Sequence, residues 1–337
     1  MLGQGAHNVG FLGKSNKIKK VRMIICLAVV CLMGVANFAS ADMFGTGDNA
    51  FNIDFVPISG STNPTRGIAA GDYFTFTGVA NDYRMGTYEV SNDQWTKFKA
   101  AYGVVTGSPS NAYDQSPFFG TNAPTNRVSW YEAAQFVNWL NTSTGNQVAY
   151  KFTGTQGTSN YTLATWSVAE ASIGTNLYRN KDAKYFLPTE NEWVKAAYWN
   201  GTSLQNCATK AGQSLTQGNG INGTGWNYET TQYATNPAGP WNVGSGSQEL
   251  NGTYDMMGNV SEWMENIYSS EWSGGIHCVR GGMYGSTSTD LTSSSRFGSY
   301  PYDENFTVGF RVASIPEPAT LLLFGLGRLV LRRRHRG

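Results

Sequence analysis

Histidine and cysteine are scarce in this 337-residue chain, and scarcer still once its two ends are set aside. Of 3 histidines only His277 falls between residues 42 and 314, and of 4 cysteines only Cys207 and Cys278 do. The body therefore has no histidine cluster for a metal centre, and its cysteines allow one bridge at most. Positive charge is missing from the body as well. Ten of the 24 basic residues lie in two terminal clusters, Lys14 to Arg22 and Arg328 to Arg336, which leaves 14 against 22 acidic residues and a net charge of −8 between 42 and 314. An acidic body without a basic stripe argues against nucleic acid as a partner. There is no internal repeat and no G-x-S-x-G elbow, so a hydrolase drawn from Ser286 and His277 lacks a nucleophile signal; His277 reads as a surface or packing residue.

Glycine (40 residues) and aromatic side chains (13%) are plentiful, which points to a turn-rich fold pinned by large rings. The first 41 residues read as a secretory signal: a lysine-rich start, an apolar run from Met23 to Ala36, and the small-residue pattern Ala39-Ser40-Ala41, with cleavage expected after Ala41. The run is short for a membrane-spanning anchor. Alternation at Phe51, Ile53 and Phe55, and again over Tyr73-Phe74-Thr75-Phe76, predicts short strands. Three helices are predicted by one device, a hydroxyl followed three residues later by an acid or amide: Ser91–Gln94, Ser129–Glu132 and Thr189–Glu192. Glu132, Glu190 and Glu192 are explained by capping and helix-dipole roles better than by acid/base chemistry. Segments 141–184 and 200–250 read as long polar loops that pack through Tyr150, Phe152, Trp166, Trp226, Tyr228 and Trp241.

The chain is organised around Tyr254-Asp255-Met256-Met257-Gly258-Asn259-Val260-Ser261-Glu262-Trp263. Gly258-Asn259 is a turn pair tolerant of positive φ. Asn259 and Glu262 present oxygens to one place, and two readings stand on residues alone: ligands for a hard cation such as Ca²⁺, or partners for the backbone of a folded-over loop. Downstream, Arg280-Gly281-Gly282, Arg296 and Gly309-Phe310-Arg311 place guanidinium groups beside glycines, where they reach backbone carbonyls or an acid.

Six motifs in order resemble one family. Tyr88-Glu89-Val90-Ser91-Asn92 with Trp95, then Asn126 to Ala133, Phe186-Leu187-Pro188-Thr189-Glu190-Asn191-Glu192-Trp193, the Met256–Trp263 turn, Arg280-Gly281-Gly282 and Gly309-Phe310-Arg311 are similar to the signatures of the formylglycine-generating enzyme (sulfatase-modifying factor) family, over about residues 50 to 313. The resemblance implies a single irregular α+β domain, 42–314, related to C-type lectin-like folds. It implies a structural Ca²⁺ held by Asn259, Glu262 and the Val260 carbonyl. In the family's oxidases, two thiolates shortly after the RGG motif hold Cu(I), a soft ion; the corresponding positions here are Ser286 and Leu291. Cys207 and Cys278 do not match that pair; in an oxidising compartment a disulfide between them is the expectation, with two unpaired thiols as the alternative.

The tail, 315–337, resembles a PEP-CTERM sorting signal: Pro316-Glu317-Pro318, an apolar stretch Ala319–Leu331 interrupted by Arg328, and an arginine cluster that holds to the inner side of a membrane. That resemblance implies an exosortase-type enzyme as partner and a location in the envelope or outside the cell. The expectation for function is an exported, non-catalytic binding or structural domain, in contact with polysaccharide or peptide; the alternative is a divergent formylglycine-generating oxidase, with copper, that uses other ligands.

Overall fold

All three predicted helices form, and each starts with the expected capping box. Helix α1 (Asn92–Tyr102), α2 (Trp130–Ser143) and α3 (Glu190–Tyr198) are capped by Ser91, Ser129 and Thr189, whose hydroxyls accept from the backbone N–H of Gln94, Glu132 and Glu192 while those side chains reach back. Each cap contributes on the order of 1 kcal/mol. The computed structural model describes Met1 and residues 40–71, 74–107, 120–173, 176–229, 239–268 and 275–316. Most of the expected signal segment, and the tail beyond Pro316, lie outside these residues.

Strands β1 (Ser40–Phe44), β2 (Phe51–Ile58), β3 (Ile68–Ala69), β4 (Thr75–Phe76) and β5 (Tyr83–Gly86) precede α1. The alternation at Phe51, Ile53 and Phe55 is real: these three are buried and the residues between them exposed. Between α2 and α3 lie β6 (Lys151–Thr153), β7 (Thr162–Ala164), β8 (Ala171–Ile173), β9 (Asn176–Asn180) and β10 (Tyr185–Phe186). Segment 141–184, expected as loop, is thus two antiparallel hairpins, β6–β7 and β8–β9. Its strands are too short and polar to show a clear period of two, and so the sequence pattern did not reveal them. Segment 200–250 has no regular strand among its described residues, yet Trp226, Tyr228 and Trp241 are buried.

The remaining strands are β11 (Ser261–Ile267), β12 (His277–Arg280), β13 (Phe297–Ser299), β14 (Val308–Gly309) and β15 (Ala313–Ser314). Two sheets dominate. One has the order β1-β2-β5-β15-β10, all neighbours antiparallel; the other has the order β13-β12-β11-β14, with β11 and β14 parallel. The C-terminal strand β15 is thus an interior strand of the first sheet.

Three fully buried tryptophans tie the elements together, and each spends its indole N–H. Trp130 of α2 donates to the Met264 carbonyl at 3.0 Å, Trp263 of β11 to the Val128 carbonyl at 2.8 Å, and Trp193 of α3 to Glu262 Oε2 at 2.7 Å. A buried indole with its donor satisfied gives large apolar burial without a desolvation penalty; truncating one to alanine costs about 3–5 kcal/mol.

Candidate functional site

The Met256–Trp263 turn is built as its glycine requires. Gly258 has φ +84, and a Cβ there would lie 2.1 Å from the Asn227 carbonyl oxygen. Asn259 follows at φ +60. Its amide is saturated by protein: Oδ1 accepts from Trp241 N (2.7 Å) and Asn227 Nδ2 (3.0 Å), and Nδ2 donates to Glu89 Oε2 (2.6 Å). The other Glu89 oxygen accepts from Val260 N at 3.1 Å.

Glu262 is equally engaged. Arg311 grips it with Nη2 on Oε1 at 2.6 Å and Nε on Oε2 at 2.7 Å, and Trp193 adds a third donor. The other Arg311 donors reach the carbonyls of Gly86, Thr87 and Tyr254. A guanidinium therefore stands where the resemblance implies Ca²⁺. With Asn259 Oδ1 taking two N–H groups and both Glu262 oxygens on a cation already, the pair does not fit a calcium ion, which needs six or more free oxygens. Among the described residues no group of three or more His, Cys, Asp or Glu side chains is arranged to hold a metal.

Three further carboxylates, Glu89, Glu249 and Asp255, crowd this turn, and no motif or spacing announced their convergence. Burial, then the negative charges of Asp255 and Glu262, push Glu89 well above the usual carboxylate range. Burial moves Glu249 to about 8 against the pull of Arg311, and Asp255 to about 6 against the N–H of Gly244. Glu249 holds the turn from below by accepting from Met256 N, Met257 N and Thr253 Oγ1.

The arginine of Arg280-Gly281-Gly282 reaches both partners the sequence allowed. Its Nε donates to Glu190 Oε1 at 2.8 Å and its Nη groups to the carbonyls of Ser293, Ser295 and Ala70. Arg296 makes a second fork on Glu190, at 2.7 and 2.8 Å. Glu190 is thus an acceptor for buried Arg280 and half-buried Arg296, a role its position at the start of α3 does not reveal. Cys278 Sγ–H is its third donor, at 3.1 Å. Burial, then the Glu190 charge, hold this thiol well above its ordinary value.

The disulfide expected between Cys207 and Cys278 is not formed. Both are free thiols: Cys278 is committed to Glu190 in β12, whereas Cys207 is half-buried in segment 200–250, where burial raises its pKa. His277 is buried against Trp130, ring centroids 4.3 Å apart, and burial lowers it to about 4, so it is neutral packing rather than a surface residue. Ser286 and Leu291 converge on Gly282: a Cβ there would lie 2.7 Å from Leu291 Cδ2 and 3.2 Å from both Cβ and Oγ of Ser286. Ser286 Oγ accepts from Met283 N, and Leu291 is fully buried.

A cavity of about 470 Å³ opens elsewhere, where β5 begins and β15 ends. Its walls are residues 77–83, the β9 end with 179–181, Ala183, the start of α3, Asn266 and Ile315. Arg179 forms part of the wall, stacked 3.9 Å over Phe186 and paired with Glu192 (3.3 Å) and Glu265 (3.4 Å). Lys181 pairs with Asp182 at 2.6 Å. Neither cation is left seeking an acid. Thr77, Asn81, Ser172 and Asn266 add neutral polar groups.

Comparison with known proteins places this geometry. The sulfatase-modifying factor enzyme 1-like domain matches residues 75–315. The chain belongs to that family. Sulfatase-modifying factor-like chains of the same architecture include Treponema denticola variable protein 1 (TM-score 0.57, 19% identity, covering 83% of this chain and 100% of that one) and PvdO from Pseudomonas aeruginosa (TM-score 0.51, 16% identity, 82% and 98%). At these identities the likeness shows the formylglycine-generating-enzyme-like, C-type lectin-like fold. In sequence, the chain is 25% identical over 260 residues to the chaperone protein LppX of Paenibacillus barcinonensis, covering 72% of this chain and 80% of that protein. The PEP-CTERM protein-sorting motif matches residues 314–336, which marks this sulfatase-modifying factor-like chain as exported and recognised by an exosortase, with transient anchoring in a membrane. Among the described residues no helix is long and apolar enough to cross a membrane.

Proposed function

We propose that this sulfatase-modifying factor-like protein binds a neutral polar ligand, a polysaccharide segment in preference to a peptide, in the envelope or the extracellular matrix, and does not oxidise cysteine. The observation that carries the reading is the pair of residues against Gly282. A Cu(I) site of the family's kind needs two thiolates, and Ser286 and a fully buried Leu291 stand there. Neither remaining thiol substitutes, since Cys278 is buried on Glu190 and Cys207 belongs to a different segment. A divergent oxidase, the alternative reading, would need copper ligands other than the family's thiolate pair.

The binding half of the reading rests on the cavity. Its volume lies within the range of small-molecule sites, its cations Arg179 and Lys181 are paired with acids, Asp82 accepts from Gly60 N, and its amide and hydroxyl groups share the walls with Phe186 and Ile315. Neutral hydroxyl-rich ligands with apolar C–H faces suit such walls, whereas an anionic ligand would have to break the Arg179–Glu192 pair. Isothermal titration of a panel of neutral oligosaccharides against the protein and an Asn81→Trp variant tests this. Binding that the bulky side chain abolishes, at unchanged thermal stability, is expected. Binding unaffected by Asn81→Trp, or no binding by any oligosaccharide, would sink the assignment.

A further inference from the structure

Lys195 is buried on α3 against neutral partners. Only 1% of its surface is exposed, and its Nζ donates to the Val79 carbonyl (2.8 Å) and to Asn63 Oδ1 (2.9 Å). An ammonium so placed loses hydration without gaining a counter-charge in contact. Burial lowers it to about 8 against the pull of Asp82, which leaves part of the population as free amine near neutral pH.

Asn63 presents the complementary group. It sits in the loop 59–67 between β2 and β3, and its carboxamide is held from three sides. Oδ1 accepts from Val79 N (2.7 Å) as well as from Lys195, and Nδ2 donates to the Gly60 carbonyl (2.8 Å). Glycine lets the facing loop, 77–82, come this close: a Cβ at Gly78, where φ is +86, would lie 2.5 Å from Asn63 Oδ1. Asn63 Cγ is no farther from Lys195 Nζ than the hydrogen bond plus one C=O length, about 4.1 Å. A small shift therefore brings amine and carbonyl carbon to attack distance. The usual rival nucleophile is missing, because Pro64 follows Asn63 and has no N–H to close a succinimide.

We propose that Lys195 and Asn63 join in an intramolecular isopeptide bond. Lys195 Nζ, as the free amine, attacks Asn63 Cγ. The charge that develops on Oδ1 is met by the Val79 N–H, a donor already in place. The Cγ–Nδ2 bond then breaks, a proton from Nζ passes to the departing nitrogen, and ammonia leaves; no oxidant or cofactor is required. Asp82 is placed to carry that proton, since its charge acts on Lys195 and its Oδ1 accepts from the N–H of Gly60, whose carbonyl holds the Asn63 amide. The product removes the buried charge and ties the 59–67 loop to α3 across 132 positions, a covalent closure that the free Cys207 and Cys278 do not supply.

Peptide mapping of the folded wild-type chain tests this, independently of any ligand. The chain is held at mildly alkaline pH, denatured, digested with trypsin and read by tandem mass spectrometry. The expected product is a branched peptide that joins the segment ending at Arg66 to residues 185–210, uncut after Lys195 and lighter than its two parts by one ammonia, about 17 Da. In Lys195→Arg, which keeps the charge, and in Asn63→Ser, the branch and the mass loss should both disappear. Two separate peptides from the wild type, with Lys195 cut and Asn63 intact, overturn the proposal. So does Asn63 recovered as an unlinked aspartate, since water and not the amine would then have reached Cγ, or the same ammonia loss retained in Lys195→Arg. Because the branch is sought in the wild type, the outcome does not depend on either variant folding.

Discussion

Replacing Glu262 by glutamine probes the centre of the molecule, because both oxygens of that carboxylate accept from buried donors. Arg311 supplies two donors at 2.6 and 2.7 Å and Trp193 a third at 2.7 Å, and the side chains of both Glu262 and Arg311 are wholly buried. The amide keeps the shape, turns an N–H₂ towards a guanidinium, and leaves that guanidinium buried without its counter-charge. Removing one partner of such a pair costs about 3–5 kcal/mol. At about 2 °C per kcal/mol for a body of this size, Tm falls by roughly 6–10 °C. Differential scanning fluorimetry with and without Ca²⁺ or a chelator reads both the loss and its cause: the wild-type Tm is expected to be insensitive to either addition. A Ca²⁺-dependent rise in Tm that Glu262→Gln abolishes would refute the argument, since the carboxylate would then be serving a cation other than Arg311. So would a loss well below 1 kcal/mol.

The buried acids make stability fall on the alkaline side. Glu249 (about 8) and Asp255 (about 6) keep protons in the folded chain at pH values where the unfolded chain has released them, so denaturation midpoints should drop as pH rises from about 5 to 8; a flat profile there contradicts the assignment. His277, lowered to about 4, works the other way, because the unfolded chain gains its proton first and stability is lost as pH falls from about 6.5 to 4. In thiol titration under non-reducing conditions, half-exposed Cys207 should react first and Cys278 only on unfolding; a body with no titratable thiol would restore the disulfide. Gly258→Ala should cost several kcal/mol or prevent folding, because its Cβ meets the Asn227 carbonyl at 2.1 Å and φ is +84; a variant within about 1 kcal/mol of wild type would mean that the turn relaxes easily.

Local devices were the legible part of this sequence. A capping box is written in two residues three apart, so Ser91–Gln94, Ser129–Glu132 and Thr189–Glu192 announced their helices and the structure forms all three. The order of six motifs was equally readable and gave the family. What stayed hidden depends on contacts between distant residues. Glu89 reaches Asn259 across 170 positions, and Arg280 meets Glu190 across 90. No spacing rule pairs an acid with an arginine so far away, and so Glu262 read as a ligand and Glu190 as a cap. The two hairpins in 141–184 failed for a different reason. Strands of three to five mostly polar residues carry too little alternation to register, and β8–β9 is irregular in register. The cavity was invisible as well, since its walls come from segments as far apart as residues 77–83 and Ile315.

The measurement that tests the account most directly is incubation of the purified protein with Cu(I), O₂ and a cysteine-containing sulfatase-type peptide, followed by mass analysis of the peptide beside a competent family oxidase. With Ser286 and Leu291 at the thiolate positions, the peptide should keep its thiol. Conversion of that cysteine to the aldehyde would contradict the binding assignment and make this chain an oxidase with copper ligands other than the family's pair.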